Sequence, residues 1–111
     1  MDDCLFCRIV AGKIPATVVY EDADIVAFND VFPRAPFHVL VVPRIHVATL
    51  SDLDDDVLGG RLLQVVRRVA RQGGVDDNFR LVVNNGDRAG QTVLHLHLHV
   101  LGGREFAWPP G

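Results

Sequence analysis

His95-Leu96-His97-Leu98-His99-Val100-Leu101-Gly102-Gly103 places three of the chain's five histidines at alternate positions of an apolar run. Such alternation is the pattern of a β-strand, where residues i, i+2 and i+4 share a face at about 3.3 Å rise per residue. The rings are expected on one face, neighbours roughly 6–7 Å apart, with Leu96, Leu98 and Val100 on the other. Imidazole titrates near neutrality, so a row of them can supply a nucleophile, a proton donor and a metal ligand together. Three rings along one strand diverge too far to share an ion, because Zn–N bonds of about 2.0–2.1 Å require ligands to converge within roughly 4 Å. At most one or two can ligate, which leaves the others for catalysis.

Working outward, Asn84 to Thr92 is a loop rich in Gly and Asn, and Phe79-Arg80-Leu81-Val82-Val83 before it is a strand pattern. The clearest helix pattern runs from Asp52 to about Gln72. Ser51 and Asp54 form a capping-box-like start, and Leu53, Val57, Leu58, Leu62, Val65, Val66 and Val69 recur at helical spacing. Gly59-Gly60 weakens that helix by about 1 kcal/mol per glycine relative to alanine, which points to a local reason such as close packing. His38-Val39-Leu40-Val41-Val42, ended by Pro43, is a nearly continuous apolar strand, as expected for a central place in a sheet. Val18-Val19-Tyr20 and Ile25-Val26-Ala27-Phe28 flank an acidic turn as a hairpin. Leu5 to Ala11 is a short helical turn opened by Asp2 or Asp3 and closed by Gly12. This order predicts an α+β fold with a mainly antiparallel sheet.

The 111 residues form a single domain, 1–111, large enough for one core. A net charge of −3 argues against gripping long nucleic acid but leaves a single nucleotide open. No apolar run approaches the roughly 20 residues that span a bilayer, and the start Met1-Asp2-Asp3-Cys4 lacks a basic secretory leader, so no membrane partner and a cytoplasmic location are expected. Cys4 and Cys7 form an isolated C-x-x-C. Spaced three apart on a helical turn, the sulfurs point to one side, and a tetrahedral zinc would need two more N or S ligands. Free buried thiols and a thioredoxin-like redox pair are the alternatives, the latter disfavoured because no strand precedes the motif.

H-x-H-x-H followed by Val100-Leu101-Gly102-Gly103 resembles the signature of the histidine triad family of nucleotide hydrolases and transferases. Ile14-Pro15-Ala16, Val19-Tyr20-Glu21-Asp22, Ala27-Phe28-Asn29-Asp30, His38 to Pro43, Asn84-Asn85-Gly86, Gly90-Gln91-Thr92 and the ending Trp108-Pro109-Pro110-Gly111 look like its Hint branch. The resemblance spans nearly the whole chain. It implies a five-stranded, mainly antiparallel sheet with one long and one short helix, and sheets paired across a homodimer. His97 then matches the nucleophile that attacks the α-phosphorus, and His99 the ring that contacts phosphate and helps protonate the leaving group, with His38 in a supporting role. Gly90, Gln91, Thr92 and Val93 match the phosphate-holding loop, Asn84 a polar contact near it, and Asp30 the carboxylate that accepts from ribose hydroxyls. Leu5, Phe6, Ile9 and Val31 match the apolar slot for a purine. His46 and His95 match the histidines that complete a structural zinc site with Cys4 and Cys7 in zinc-bearing relatives. Trp108 falls near the neighbouring protomer in that branch.

The implied activity is hydrolysis of a purine nucleoside 5′-phosphoramidate or related AMP-X compound through a nucleotidyl-histidine, releasing the nucleoside monophosphate. No magnesium-binding motif is evident and this chemistry needs none. A dinucleoside polyphosphate hydrolase of the Fhit branch is a rival, against which the Gly102-Gly103 ending and the Trp-Pro-Pro-Gly tail speak. A purine nucleotide-binding adaptor is a second, weakened because a mere binder has no need of two imidazoles at the phosphorus.

Overall fold

The computed structural model describes residues 3–111, so Asp2, one of the two expected helix caps, lies outside the described residues. The other is not used. The first helix, α1 (Leu5–Val10), is capped by Cys4, whose backbone is extended and whose Sγ accepts from the Cys7 N–H at 3.3 Å. Strands β1 (Val18–Glu21) and β2 (Ile25–Asn29) form the expected hairpin, followed by β3 (Phe37–Pro43), the long helix α2 (Asp56–Gln72), β4 (Phe79–Val82) and β5 (Leu98–Gly102). All neighbours are antiparallel in the order β1-β2-β3-β5-β4, with β3 in the centre.

Several sequence expectations shift at α2. The helix begins four residues later than Asp52: a 3₁₀ turn over Leu50–Asp52 comes first, and Asp55, not Ser51, caps the helix by accepting from the Leu58 N–H at 3.0 Å. Leu53 lies outside the helix in extended backbone, where it packs against the core. Val57, expected on the buried stripe, is exposed. The glycine pair has no tight neighbour: a Cβ at Gly60 would meet nothing within 4 Å, and one at Gly59 only Leu53 at an ordinary 3.6 Å.

Strand alternation divides the sheet into two working faces. Ile25, Ala27, Val39, Val41, Leu98 and Val100 turn toward the apolar stripe of α2, Leu58, Leu62, Val65, Val66, Val69 and Ala70. Val26, Phe28, Leu40 and Val42 turn the other way and are met by Phe6 of α1. A six-residue helix covers only part of that second face, and the uncovered part holds the candidate site.

The β1–β2 turn is fastened to α2 through Asp22. Its carboxylate accepts from the Tyr20 hydroxyl and the Asp24 and Ile25 N–H groups and pairs with Arg61. Burial alone would raise this carboxyl, but those donors hold it at about 2.

Only glycine fits at the end of β5. A Cβ on Gly102 would lie 2.7 Å from Val75 Cβ and 2.9 Å from both its methyl carbons, just beyond α2. Gly102→Ala is expected to cost about 1–3 kcal/mol in urea unfolding, the usual range for overpacking. Combined with Val75→Ala it should cost less than the sum of the single changes, because the two side chains compete for one space.

Candidate active site and metal centre

The ladder between β3 and β5 ends at Val41↔Leu98, so His99 alone of the triad lies in a paired strand. The expected strand from His95 is interrupted for a local reason. The next hydrogen-bonded pair of the ladder would set Leu96 against Pro43, which has no N–H to donate, and the Pro43 carbonyl accepts from His95 Nε2 at 2.8 Å instead. The Leu96 N–H turns to the Val47 carbonyl at 2.6 Å. Alternation survives the lost pairing: Leu96, Leu98 and Val100 enter the α2-side core while the rings face the opposite side. His97 and His99 are closer than ideal strand geometry implies, with ring centroids 5.0 Å apart.

Carbonyl oxygens only accept, so they settle which ring nitrogens carry hydrogen. His95 donates from Nε2 to Pro43, which leaves its Nδ1 lone pair pointing at sulfur: Cys4 Sγ at 3.4 Å and Cys7 Sγ at 3.5 Å. His97 donates from Nδ1 to the His95 carbonyl at 2.8 Å, which leaves the Nε2 lone pair unengaged. His38 Nδ1 accepts from the Arg34 N–H at 3.0 Å, so its hydrogen sits on Nε2, 2.9 Å from His99 Nδ1. His99 accordingly accepts on Nδ1 and carries its own hydrogen on Nε2. One ring is thus left with a free lone pair and its neighbour with a free N–H.

Both rings line one end of a cleft of about 330 Å³. Its other end is apolar, with Leu5, Phe6, Ile9 and Val31 from the expected slot. Ile14, Pro15, Ala16, Phe28, Phe32 and Leu40 line it as well, though none was singled out for the slot. Phe28 and Leu40 had a legible signal, since they sit at matching positions of two paired strands. Phe32 had none. Asp30 lines the cleft and divides its oxygens, Oδ1 accepting from the Phe32 N–H at 2.9 Å and Oδ2 lying 3.4 Å from His38 Nε2.

Thr92 and Val93 also reach the cleft, whereas Asn84, Gly90 and Gln91 do not line it. Gln91 is buried and braces the loop from inside: its amide donates to the Ala48 and Val93 carbonyls at 2.7 and 3.0 Å and accepts from the Gly86 N–H at 2.8 Å. Gly86 and Gly90 have φ of +95° and +97°, values that favour glycine, and Asn84 lies beside Gly90.

On the other side of His97, the donor atoms of Cys4, Cys7, His46 and His95 all lie within 4.8 Å of one another. His46 Nδ1 is 3.3 Å from Cys7 Sγ. In a tetrahedron with Zn–S of about 2.3 Å and Zn–N of about 2.0–2.1 Å, sulfur and nitrogen stand roughly 3.6 Å apart, so the sulfur–nitrogen spacings fit a closed S₂N₂ zinc site. Without a cation, burial and the adjacent Cys4 push the Cys7 thiol upward. Asp30, His38 and His99 form a second grouping of donors. It does not fit an ion: His38 Nε2 carries hydrogen rather than a lone pair, and 2.9 Å is shorter than the roughly 3.3 Å between two nitrogens on a tetrahedral zinc.

Comparison with known proteins agrees with this geometry. Residues 11–106 match the model of the HIT domain, the histidine triad family. The chain belongs to the HIT domain family. An uncharacterized HIT-like protein of Synechocystis sp. is 51% identical, the match covering 99% of this chain and 98% of that one. A 14 kDa zinc-binding protein of Brassica juncea is 41% identical, covering 98% and 100%. The crystal structure of a HIT family hydrolase from Legionella pneumophila superposes with a TM-score of 0.95 at 47% identity, covering 98% of this chain and 100% of that one. The HIT-domain match starts after α1, so Cys4, Phe6 and Cys7 lie outside it.

Burial lowers all three triad histidines below the ordinary imidazole range. His99 falls to about 4, driven by burial and then by the neighbouring His97 and His38 rings. The unfolded chain therefore takes up a proton near pH 6.5 that the folded HIT domain refuses at His99 until about 4. His99's contribution to stability is complete above the unfolded value and is lost as pH falls through the folded one. Urea unfolding at pH 7.5 and pH 5 should show a smaller loss for His99→Asn than for the wild type at equal zinc. Identical losses would contradict the depressed His99.

Proposed function

We propose that this HIT-domain protein hydrolyses purine nucleoside 5′-phosphoramidates, or related AMP-X compounds, and releases the nucleoside monophosphate. The observation that carries this reading is the pairing of a free Nε2 lone pair on His97 with a free Nε2–H on His99 at one end of an apolar cleft. His97 Nε2 forms a bond to the α-phosphorus while the bond from phosphorus to the leaving group breaks; the His99 Nε2–H hydrogen-bonds to the departing atom, which takes its proton from water. The His97 ring keeps hydrogen on Nδ1 and gains positive charge, which the His95 carbonyl stabilises. A second water then attacks phosphorus, gives its proton to the hydroxide left by the first, and displaces His97 as a neutral ring.

The apolar walls of Leu5, Phe6, Ile9 and Val31 suit a purine face, and Asp30, which lines the same cleft, would accept from ribose hydroxyls. Thr92 and Val93 offer a hydroxyl and backbone N–H groups for phosphate, with Gln91, Gly90 and Asn84 holding that loop in shape. His38 orients His99 and fixes its tautomer. Zinc in the Cys4–Cys7–His46–His95 site would tie α1 to the sheet, a structural task. A homodimer would cover Trp108, which is 82% exposed in the single protomer.

His97→Ala is expected to remove turnover of adenosine 5′-phosphoramidate, by at least about a thousandfold, while AMP still binds. Mass spectrometry of the wild type, quenched during turnover, should find the nucleotidyl group on His97. Turnover of His97→Ala at the wild-type rate would refute the assignment, and faster hydrolysis of diadenosine polyphosphates than of the phosphoramidate would favour the rival substrate class.

Metal analysis of the purified protein should return about one zinc per chain, and a chelator should lower its thermal midpoint. Less than about half an equivalent, or no loss of stability, would count against the structural site.

A further inference from the structure

The metal donors and the cleft meet in one residue. Phe6 stands between Cys4 and Cys7 in sequence and is 5% exposed. Its ring is edge-on to His97 at 5.0 Å and to Phe28 at 5.5 Å, with His95 at 6.0 Å. It also forms part of the cleft wall. The helix carrying it has six residues, too few to hold itself in water, and its cap is a sulfur, a weak acceptor. What fixes α1 on the sheet is therefore the contact of Cys4 and Cys7 with His46 and His95 and the burial of Phe6, with Ile9 and Val10 packed beside it. His95 links the two sites a second time, because its carbonyl holds the nucleophile's Nδ1.

We infer that zinc in the Cys4–Cys7–His46–His95 site and a nucleotide in the cleft bind with positive coupling, and that Phe6 is the positioning residue that carries it. The inference rests on the zinc and nucleotide readings proposed above. A metal that locks Cys4 and Cys7 to the sheet sets the Phe6 ring against His97 and completes the wall on which a base packs. A base pressed on that wall in turn resists the departure of α1, and with it the loss of metal. Coupling of this kind is reciprocal, so it can be read from the metal side without any assay of catalysis.

The test is a zinc titration of the full chain against a chromogenic chelator, with and without saturating AMP, for wild type, Phe6→Leu and Phe6→Ala. In the wild type AMP should tighten zinc by about fivefold or more, the lower end of ordinary coupling. Both Phe6 variants should still bind zinc, with the AMP effect falling toward none. Equal zinc affinity with and without AMP, when both are seen to bind, overturns the coupling while leaving both sites standing. A full AMP effect in the Phe6 variants overturns Phe6 as its carrier. Absence of zinc binding, or of AMP binding to the zinc-loaded protein, overturns the reading beneath and the coupling with it. The wild-type cycle decides the coupling even if a variant does not fold.

Discussion

The arrangement depends on one buried imidazole. His95 is fully enclosed, and its polar groups are committed in different directions: Nε2 to the Pro43 carbonyl, Nδ1 to the two cysteine sulfurs, and its own carbonyl to His97. A buried polar group left without a partner costs roughly 1–3 kcal/mol, so these commitments hold one another in place. Rotating the ring would strip Pro43 of its donor and turn a hydrogen toward the thiols. Shifting the backbone would free the His97 tautomer. Every side-chain N or O atom buried from solvent among the described residues has a partner, which is the condition under which such a network specifies one geometry.

The asymmetry of the sheet makes room for this network. A seventeen-residue helix closes one face with an unbroken aliphatic stripe, and that packing supplies the main core. Among the described residues the other face receives a short helix with Phe6 buried and Cys4, Ile9, Val10, Ala16 and Val93 partly buried beside it, so a groove remains beside the histidines. Such a face is stable only if something other than helix length holds its cover down. The cysteine sulfurs beside His46 and His95 help meet that need, and they do so next to His97.

Much of this was legible in the sequence because period-2 and period-3.6 patterns report directly on which face a residue takes. The five strands, both helices, the central place of β3 and the separation of His95 from His97 and His99 all followed from such patterns or from the family resemblance. What escaped depends on contacts that no local pattern records. Four acidic residues between Ser51 and Val57 offer several equivalent caps, and the choice of Asp55 turns on Leu53 packing against a distant core. Cys4 is a poor cap by propensity and serves because its sulfur is already held beside His95. Gln91 reads as part of a ligand loop, yet its amide faces inward to Ala48, more than forty residues away in sequence. The end of the β3–β5 ladder required knowing that Pro43 stands opposite the triad, which is a matter of register.

Register also explains how three identical side chains acquire three hydrogen-bonding arrangements. The rings differ in which nitrogen the backbone or a neighbouring ring has claimed, and that is decided by where each falls against β3. His99 pairs with Leu40, inside the ladder, where His38 on the same strand can reach its Nδ1. His95 falls past the ladder, where a proline carbonyl lacks a strand partner and takes its Nε2–H. His97 lies between them and turns back to the preceding carbonyl of its own chain, so its lone pair alone faces the cleft unclaimed. A slip of one residue would carry the imidazoles to the α2 face and the leucines to the cleft. A slip of two would keep the faces but offer each ring its neighbour's acceptor. The proline at the end of β3 and the aliphatic packing of Leu96, Leu98 and Val100 oppose both slips, so the chemistry of the triad follows from the packing behind it.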